Sequence, residues 1–151
     1  MKKITWCLMF FLLPFVLAGC AGAGAQAPTI PSDEILIGLD RVPKEVASWI
    51  EEHHKSERGV FKKSVGTWDA YLIAMGEQRT GGYLVKIDNA GFDMGKTWIV
   101  DVVFEEPEPG QIVTMALTYP FEVFAVRQGT PVKVRLLSKT GEPSEMTVQS
   151  E

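Results

Sequence analysis

His53 and His54 stand beside Glu51 and Glu52, the one acid–histidine cluster in the 151 residues. A helix that chelates a metal places its histidines four apart, so that both point to one side. Adjacent helical residues diverge by ~100°, so His53 is expected on an apolar stripe with Trp49 and Ile50, and His54 on the wet face. Gly91-Phe92-Asp93-Met94-Gly95-Lys96-Thr97 comes close to a phosphate loop, but it has three residues between its glycines where the loop needs four. The segment after Thr97 is strand-like, whereas a phosphate loop opens a helix whose N-terminus faces the anion. A hairpin turn is the expectation. Ser48, Ser56 and Ser64 occupy no G-x-S-x-G elbow, and two histidines leave few general bases. Any two of the 19 acids could meet in the fold, yet no spacing selects a pair. The expectation is no catalytic residue, no cofactor and no metal.

Residues suited to contact stand out more than residues suited to catalysis. Gly76-Glu77-Gln78-Arg79-Thr80-Gly81-Gly82-Tyr83 is a glycine-punctuated loop between two strand patterns. Loops on rigid scaffolds often carry binding, which makes Arg79, Thr80, Gly81, Gly82 and Tyr83 the candidate partner-binding residues. The bland alternative is a plain turn, with the paired glycines at positive φ and Tyr83 packed inward. Glu105-Glu106-Pro107-Glu108-Pro109-Gly110 reads as a solvated, proline-stiffened connection that ends strand pairing. Leu117-Thr118-Tyr119-Pro120-Phe121 is an apolar turn, expected in the core because aromatic side chains are mostly buried.

The elements that position these loops can be read from periodicity. Ile35–Leu39 is a first strand. Pro43 suits the first helical position, and Val46, Trp49, Ile50 and His53 recur at i, i+3, i+4 and i+7. With Gly59 as a stop, the pattern predicts one amphipathic helix over roughly 43–57. Val60–Val65 and Trp68–Met75 are short apolar runs on either side of Gly66. Residues 83–88 and 98–104 alternate with period two, as half-buried strands do, with turn residues between them for a long hairpin. Ile112–Leu117, Phe121–Arg127 and Val132–Leu137 complete the strands, and the polar tail after Ser138 is expected to fray. The predicted fold class is α+β: an antiparallel β-sheet of six or seven short strands with one amphipathic helix packed on a face. Trp49 and Trp98 are expected to bury against each other's elements.

The N-terminus supplies an address. Lys2 and Lys3 precede a mostly apolar stretch to Leu17, shorter than the ~20 residues of a membrane-spanning helix. The closing Leu17-Ala18-Gly19-Cys20 resembles the lipobox of bacterial lipoproteins. That resemblance implies cleavage before Cys20, acylation of its thiol, and an exported protein attached to a membrane at its extracytoplasmic face through the lipid anchor. An ordinary secretion signal with an incidental cysteine is the alternative. The expected organisation is a signal peptide over 1–19, a small-residue tether over 20–32, a folded domain over 33–138 and a polar tail over 139–151. Cleavage removes Lys2 and Lys3, leaving 13 basic residues against 19 acidic ones and a formal charge of −6. Such a chain is a poor partner for nucleic acid, whose binding rests on Lys and Arg neutralising phosphates. With Cys7 removed and Cys20 acylated, no disulfide or thiol nucleophile remains.

Thr80-Gly81-Gly82-Tyr83 before an alternating strand, the Pro109-Gly110 turn, and Ala116-Leu117-Thr118-Tyr119-Pro120 before a last strand together resemble the PrcB C-terminal domain family over roughly 70–127. The family takes its name from a lipoprotein-like accessory subunit that associates with a secreted surface protease and supports that complex. The resemblance implies a non-enzymatic protein that binds or stabilises a protein partner, a surface protease being the partner class, and it carries over no catalytic residue. One rival is a surface protease inhibitor: the loop is loosely similar to the Thr-Gly-Tyr loop of chagasin-type inhibitors, although Gln78-Arg79 stands where Asn-Pro belongs and Arg-Pro-Trp is missing. A hydrolase with unrecognised carboxylates is the other.

Overall fold

The computed structural model describes residues 35–140 and 142–150. The segments expected to be a signal peptide and a tether, with Cys20, lie outside the described residues. Among those described, nine strands and one helix run in the order β1 (Ile35–Ile37), α1 (Lys44–His53), β2 (Gly59–Val65), β3 (Trp68–Ala74), β4 (Leu84–Phe92), β5 (Trp98–Glu105), β6 (Phe121–Arg127), β7 (Val132–Leu137), β8 (Pro143–Glu145) and β9 (Val148–Ser150). They form two sheets, ordered β1-β6-β3-β2-β9 and β4-β5-β7-β8.

Mixed sheets replace the expected single antiparallel one, because β2 pairs with β9 in parallel and β5 pairs with β7 in parallel. The cause is connectivity. Between β5 and β7 the chain leaves to place β6 in the other sheet, and it returns running the same way, as parallel neighbours require. The strand count rises because the tail, expected to fray, supplies β8 and β9. Its half-buried Met146 and Val148 pack onto the core between the sheets.

The first sheet is covered on both faces. Ala70 and Leu72 of β3 and Val123 and Ala125 of β6 meet Val46, Trp49 and Ile50 of α1. The alternate residues Tyr71, Ile73, Phe124 and Val126 meet Val85, Ala90, Trp98, Val100, Val102 and Val134 of the second sheet. Residues two apart share a face of a strand, so two apolar neighbours make β3 and β6 apolar at almost every position. Tyr71 and Phe124 sit opposite each other in register and stack at 4.7 Å. The helix does lie on a sheet face, but Trp49 and Trp98 are buried on opposite sides of the first sheet and not against each other.

The helix also ends earlier than its periodicity suggested. Its first turn closes on Pro43, whose carbonyl accepts from the Val46 and Ala47 N–H groups at 2.9 and 3.0 Å. At the other end the Ser56 N–H and hydroxyl both turn back onto the His53 carbonyl, which closes the last turn before Lys55 can extend it. His54 is half-buried beside Phe121, with ring centroids 5.6 Å apart, and not on the wet face. Both histidine rings engage carbonyls of their own helix, Trp49 at 2.8 Å and Glu51 at 2.9 Å.

Candidate functional site

Loop 75–83 joins β3 to β4, and loop 106–120 joins β5 to β6, at the same end of the sandwich. Backbone hydrogen bonds fasten one to the other: Met75 N–H to Pro120 C=O at 3.0 Å, Gln78 and Thr118 reciprocally at 2.9 Å, and Gly81 N–H to Thr114 C=O at 2.9 Å. Side chains add to this. The Thr118 hydroxyl donates to the Thr80 carbonyl at 2.9 Å, and the Tyr119 hydroxyl donates to Glu77 at 3.0 Å. That bond to the Glu77 carboxylate raises the pKa of Tyr119 above the ordinary phenol value.

The glycines explain why this close pairing needs this sequence. A Cβ on Gly81 would lie 2.5 Å from Thr114 Oγ1, and one on Gly82 would meet Val113 at 3.0 Å and Pro107 at 3.1 Å. Gly82 also holds φ at +88°, a conformation that suits glycine. The group that approaches these glycines is therefore the second loop of the same chain.

The five candidate contact residues separate accordingly. Arg79 is exposed and makes no ion pair among the described residues. Thr80, Gly81 and Gly82 serve the joint between the loops. Tyr83 is half-buried and packs against the inter-sheet core, as a plain turn residue would.

The outward surface comes from the second loop. Ile112 is 99% exposed, Met115 86% and Leu117 59%. The turn Leu117–Phe121 is thus not core: Leu117 faces solvent, Thr118 and Tyr119 hold the first loop, and Phe121 alone packs under the helix, against its cluster. Ile112–Leu117 is not a strand either. It lies outside both sheets, and the one β-bridge described in this region is Gln78 with Thr118. Sequence reasoning missed Ile112 and Met115 as contact candidates because a short, mostly apolar run reads as a buried strand. The signal that could have found them is the proline-stiffened connection just before, which carries the chain away from β5.

Two buried carboxylates are the other places where chemistry could reside, and both are occupied. Asp69, 1% exposed, accepts from the Ser64 hydroxyl at 2.6 Å, from Lys62 at 2.9 Å and from the Gly129 N–H at 3.1 Å. Burial alone pushes its pKa up, but the Ser64, Lys62 and Gly129 bonds together outweigh burial and hold it below the usual carboxylate range. Asp101 takes a two-pronged bond from Arg135, at 2.7 and 2.9 Å, across the parallel β5–β7 pair. Bidentate geometry of this kind holds strand register. Among the described residues no three His, Cys, Asp or Glu side chains come together as a metal site.

Comparison with curated proteins and with solved structures gives no match. Residues 70–127, which run from β3 through both loops to the end of β6, match the model of the PrcB C-terminal family.

Proposed function

We propose that this chain is a non-enzymatic, lipid-anchored extracytoplasmic protein that offers its paired loops to a protein partner, and that the partner belongs to a surface protease complex. The family match supports a protease-associated accessory role. The observation that carries the contact surface is the exposure of Ile112, Met115 and Leu117 on a loop that hydrogen bonds hold to its neighbour. Contiguous exposed apolar area marks interaction sites, which three such side chains on one short loop favour, and a flexible loop would lose more entropy on binding. Arg79 stands on the first loop as the cationic member of the surface, with five donors in a planar fork.

Replacing Ile112 and Met115 together by Ser tests this reading. Both side chains touch solvent, so the unfolding midpoint should shift by no more than about 0.5 kcal/mol. Retention of the co-purifying partner should weaken by more than about 1 kcal/mol, and Arg79→Ala should act in the same direction. Unchanged retention in both variants would remove the loops from the interface. Two loops side by side also suit a protease inhibitor. Adding the chain to the partner protease separates the readings: an accessory subunit prolongs the protease's activity, and an inhibitor abolishes it.

A further inference from the structure

The chain enters β1 at the end of the sandwich opposite the paired loops. Ile35, the first residue of β1, stands in register with Val126 near the end of β6. Phe92 and Val132 both stand in register with Trp98, and the Trp98 N–H donates to the Pro131 carbonyl at 2.9 Å. The start of β1, the tip of the β4–β5 hairpin and the β6–β7 turn therefore share one end. β4 runs nine residues away from the paired loops to reach it, a distance of about 30 Å. Residues 21–34 lie between Cys20 and β1 and span at most about 50 Å. Seating the paired-loop end on a membrane that holds Cys20 would stretch that segment along the whole sandwich. Seating the hairpin end needs no such stretch.

The tip that shares this end is apolar. Met94 is 107% exposed, so no part of the fold covers it, and Phe92 is 45% exposed. The tip is also fixed. Asp93 N–H donates to the Thr97 carbonyl at 3.0 Å and the Lys96 N–H to the Asp93 carbonyl at 3.2 Å. Asp93 Oδ1 accepts from the Gly95 and Thr97 N–H groups at 2.8 and 2.9 Å. Below the turn, the Phe92 ring lies 4.1 Å from that of Trp98, which is buried in the core between the sheets. Asp and Gly serve the turn itself. Met94 serves none of these bonds, and the turn holds it out where a polar residue is the ordinary choice.

We propose that the hairpin tip is a membrane foot: Met94 and the outer edge of Phe92 enter the surface of the bilayer that holds Cys20. This rests on the lipid-anchored reading given above. The depth is shallow, because the flanking Asp93 and Lys96 are exposed and charged and stay among the headgroups. Two apolar side chains would not keep a free protein on a membrane. On a chain already anchored there, the contact is intramolecular and its effective concentration is high. The seating turns the paired loops away from the bilayer, toward a partner.

The test places the acylated full chain on vesicles of phosphatidylethanolamine and phosphatidylglycerol with brominated acyl chains. Acylation of Cys20 leaves no other thiol after cleavage, so Met94→Cys and Met115→Cys each offer one site for a nitrobenzoxadiazole fluorophore. Bromolipid should quench the label at position 94 and leave that at position 115 unchanged. A second measurement needs no label. Hydroxyl-radical oxidation of native Met94 on these vesicles should be slower than in the Cys20→Ala chain by about threefold or more, as burial at an interface implies, with Met115 oxidising alike in both. Quenching at both positions, at neither, or at 115 alone would overturn the seating, as would equal oxidation of Met94 in the two chains. Slowed oxidation of Met94 without quenching would mean that protein covers the tip, and would overturn it too. A chain that carries its acyl label and fails these tests strikes the seating alone, whereas a chain without the label strikes the anchor and the seating with it.

Discussion

Single residues here do structural work that their type alone did not announce. Asp69 is the clearest case. Its charged form is held by three donors, so its folded pKa lies below its unfolded one. A depressed carboxylate contributes stability that is fully present above the unfolded value, ~3.9, and is lost as pH falls through the folded value. Lys62 moves the other way. Its pKa is raised, chiefly by the bond to Asp69, so its contribution is present below ~10.4 and is lost as pH rises through the folded value. Asp69→Asn should therefore destabilise the protein by about 1–3 kcal/mol at neutral pH, as expected when buried donors lose a partner. It should also flatten the acid limb of the stability curve, which urea midpoints from pH 3 to pH 7 would show. An acid limb identical to wild type would mean that Asp69 is not the group titrating there. Nothing in the residue spacing foretold this cluster, because its members meet only once β2, β3 and the β6–β7 turn are folded. The paired glycines were legible as a loop, but the neighbour they make room for was not.

At the scale of elements, periodicity located the helix and the strands β2, β3, β5, β6 and β7 well. It ended β4 at Asp88, where a register shift breaks the alternation before the strand runs on to Phe92, and it left strand direction unread. A period-two pattern records which face is buried and is silent on whether the neighbour runs parallel, so the mixed sheets emerged only from the crossovers. The polar tail shows the same limit, since β8 and β9 are edge strands with little apolar signal. The Ile112–Leu117 run shows the converse, a mostly apolar segment that pairs with neither sheet. Two-sided burial of the first sheet has an energetic consequence. Trp49→Ala and Trp98→Ala should each cost ~3–5 kcal/mol. Because the two side chains belong to separate clusters, the double variant should equal the sum of the singles within about 0.5 kcal/mol. Denaturant midpoints of the four proteins form the cycle, and a coupling above about 1 kcal/mol would place the tryptophans in one packing unit.

The whole molecule divides its surface between two ends. The paired loops lie beyond Leu84, Glu105 and Phe121, and at the other end the β4–β5 hairpin and the β6–β7 turn border a cleft of about 370 Å³. In the proposed arrangement, acyl chains on Cys20 hold the N-terminus at the membrane and residues 21–34 separate it from β1. Cys20→Ala should then release the protein from the membrane fraction and abolish acyl labelling, as two-chain anchoring predicts. A variant that still labels and still sediments with membranes would contradict the lipobox reading.

The central claim is that the paired loops are the face that meets the partner. A photo-crosslinking residue at Met115, compared with one at Ser48 on the exposed side of α1, tests it most directly. In membranes from cells carrying the partner protease, irradiation should yield one crosslinked species containing the protease from position 115, and none from position 48. Crosslinking to the protease from position 48 alone, or from neither position while the two proteins still co-purify, would place the interface elsewhere and contradict the account.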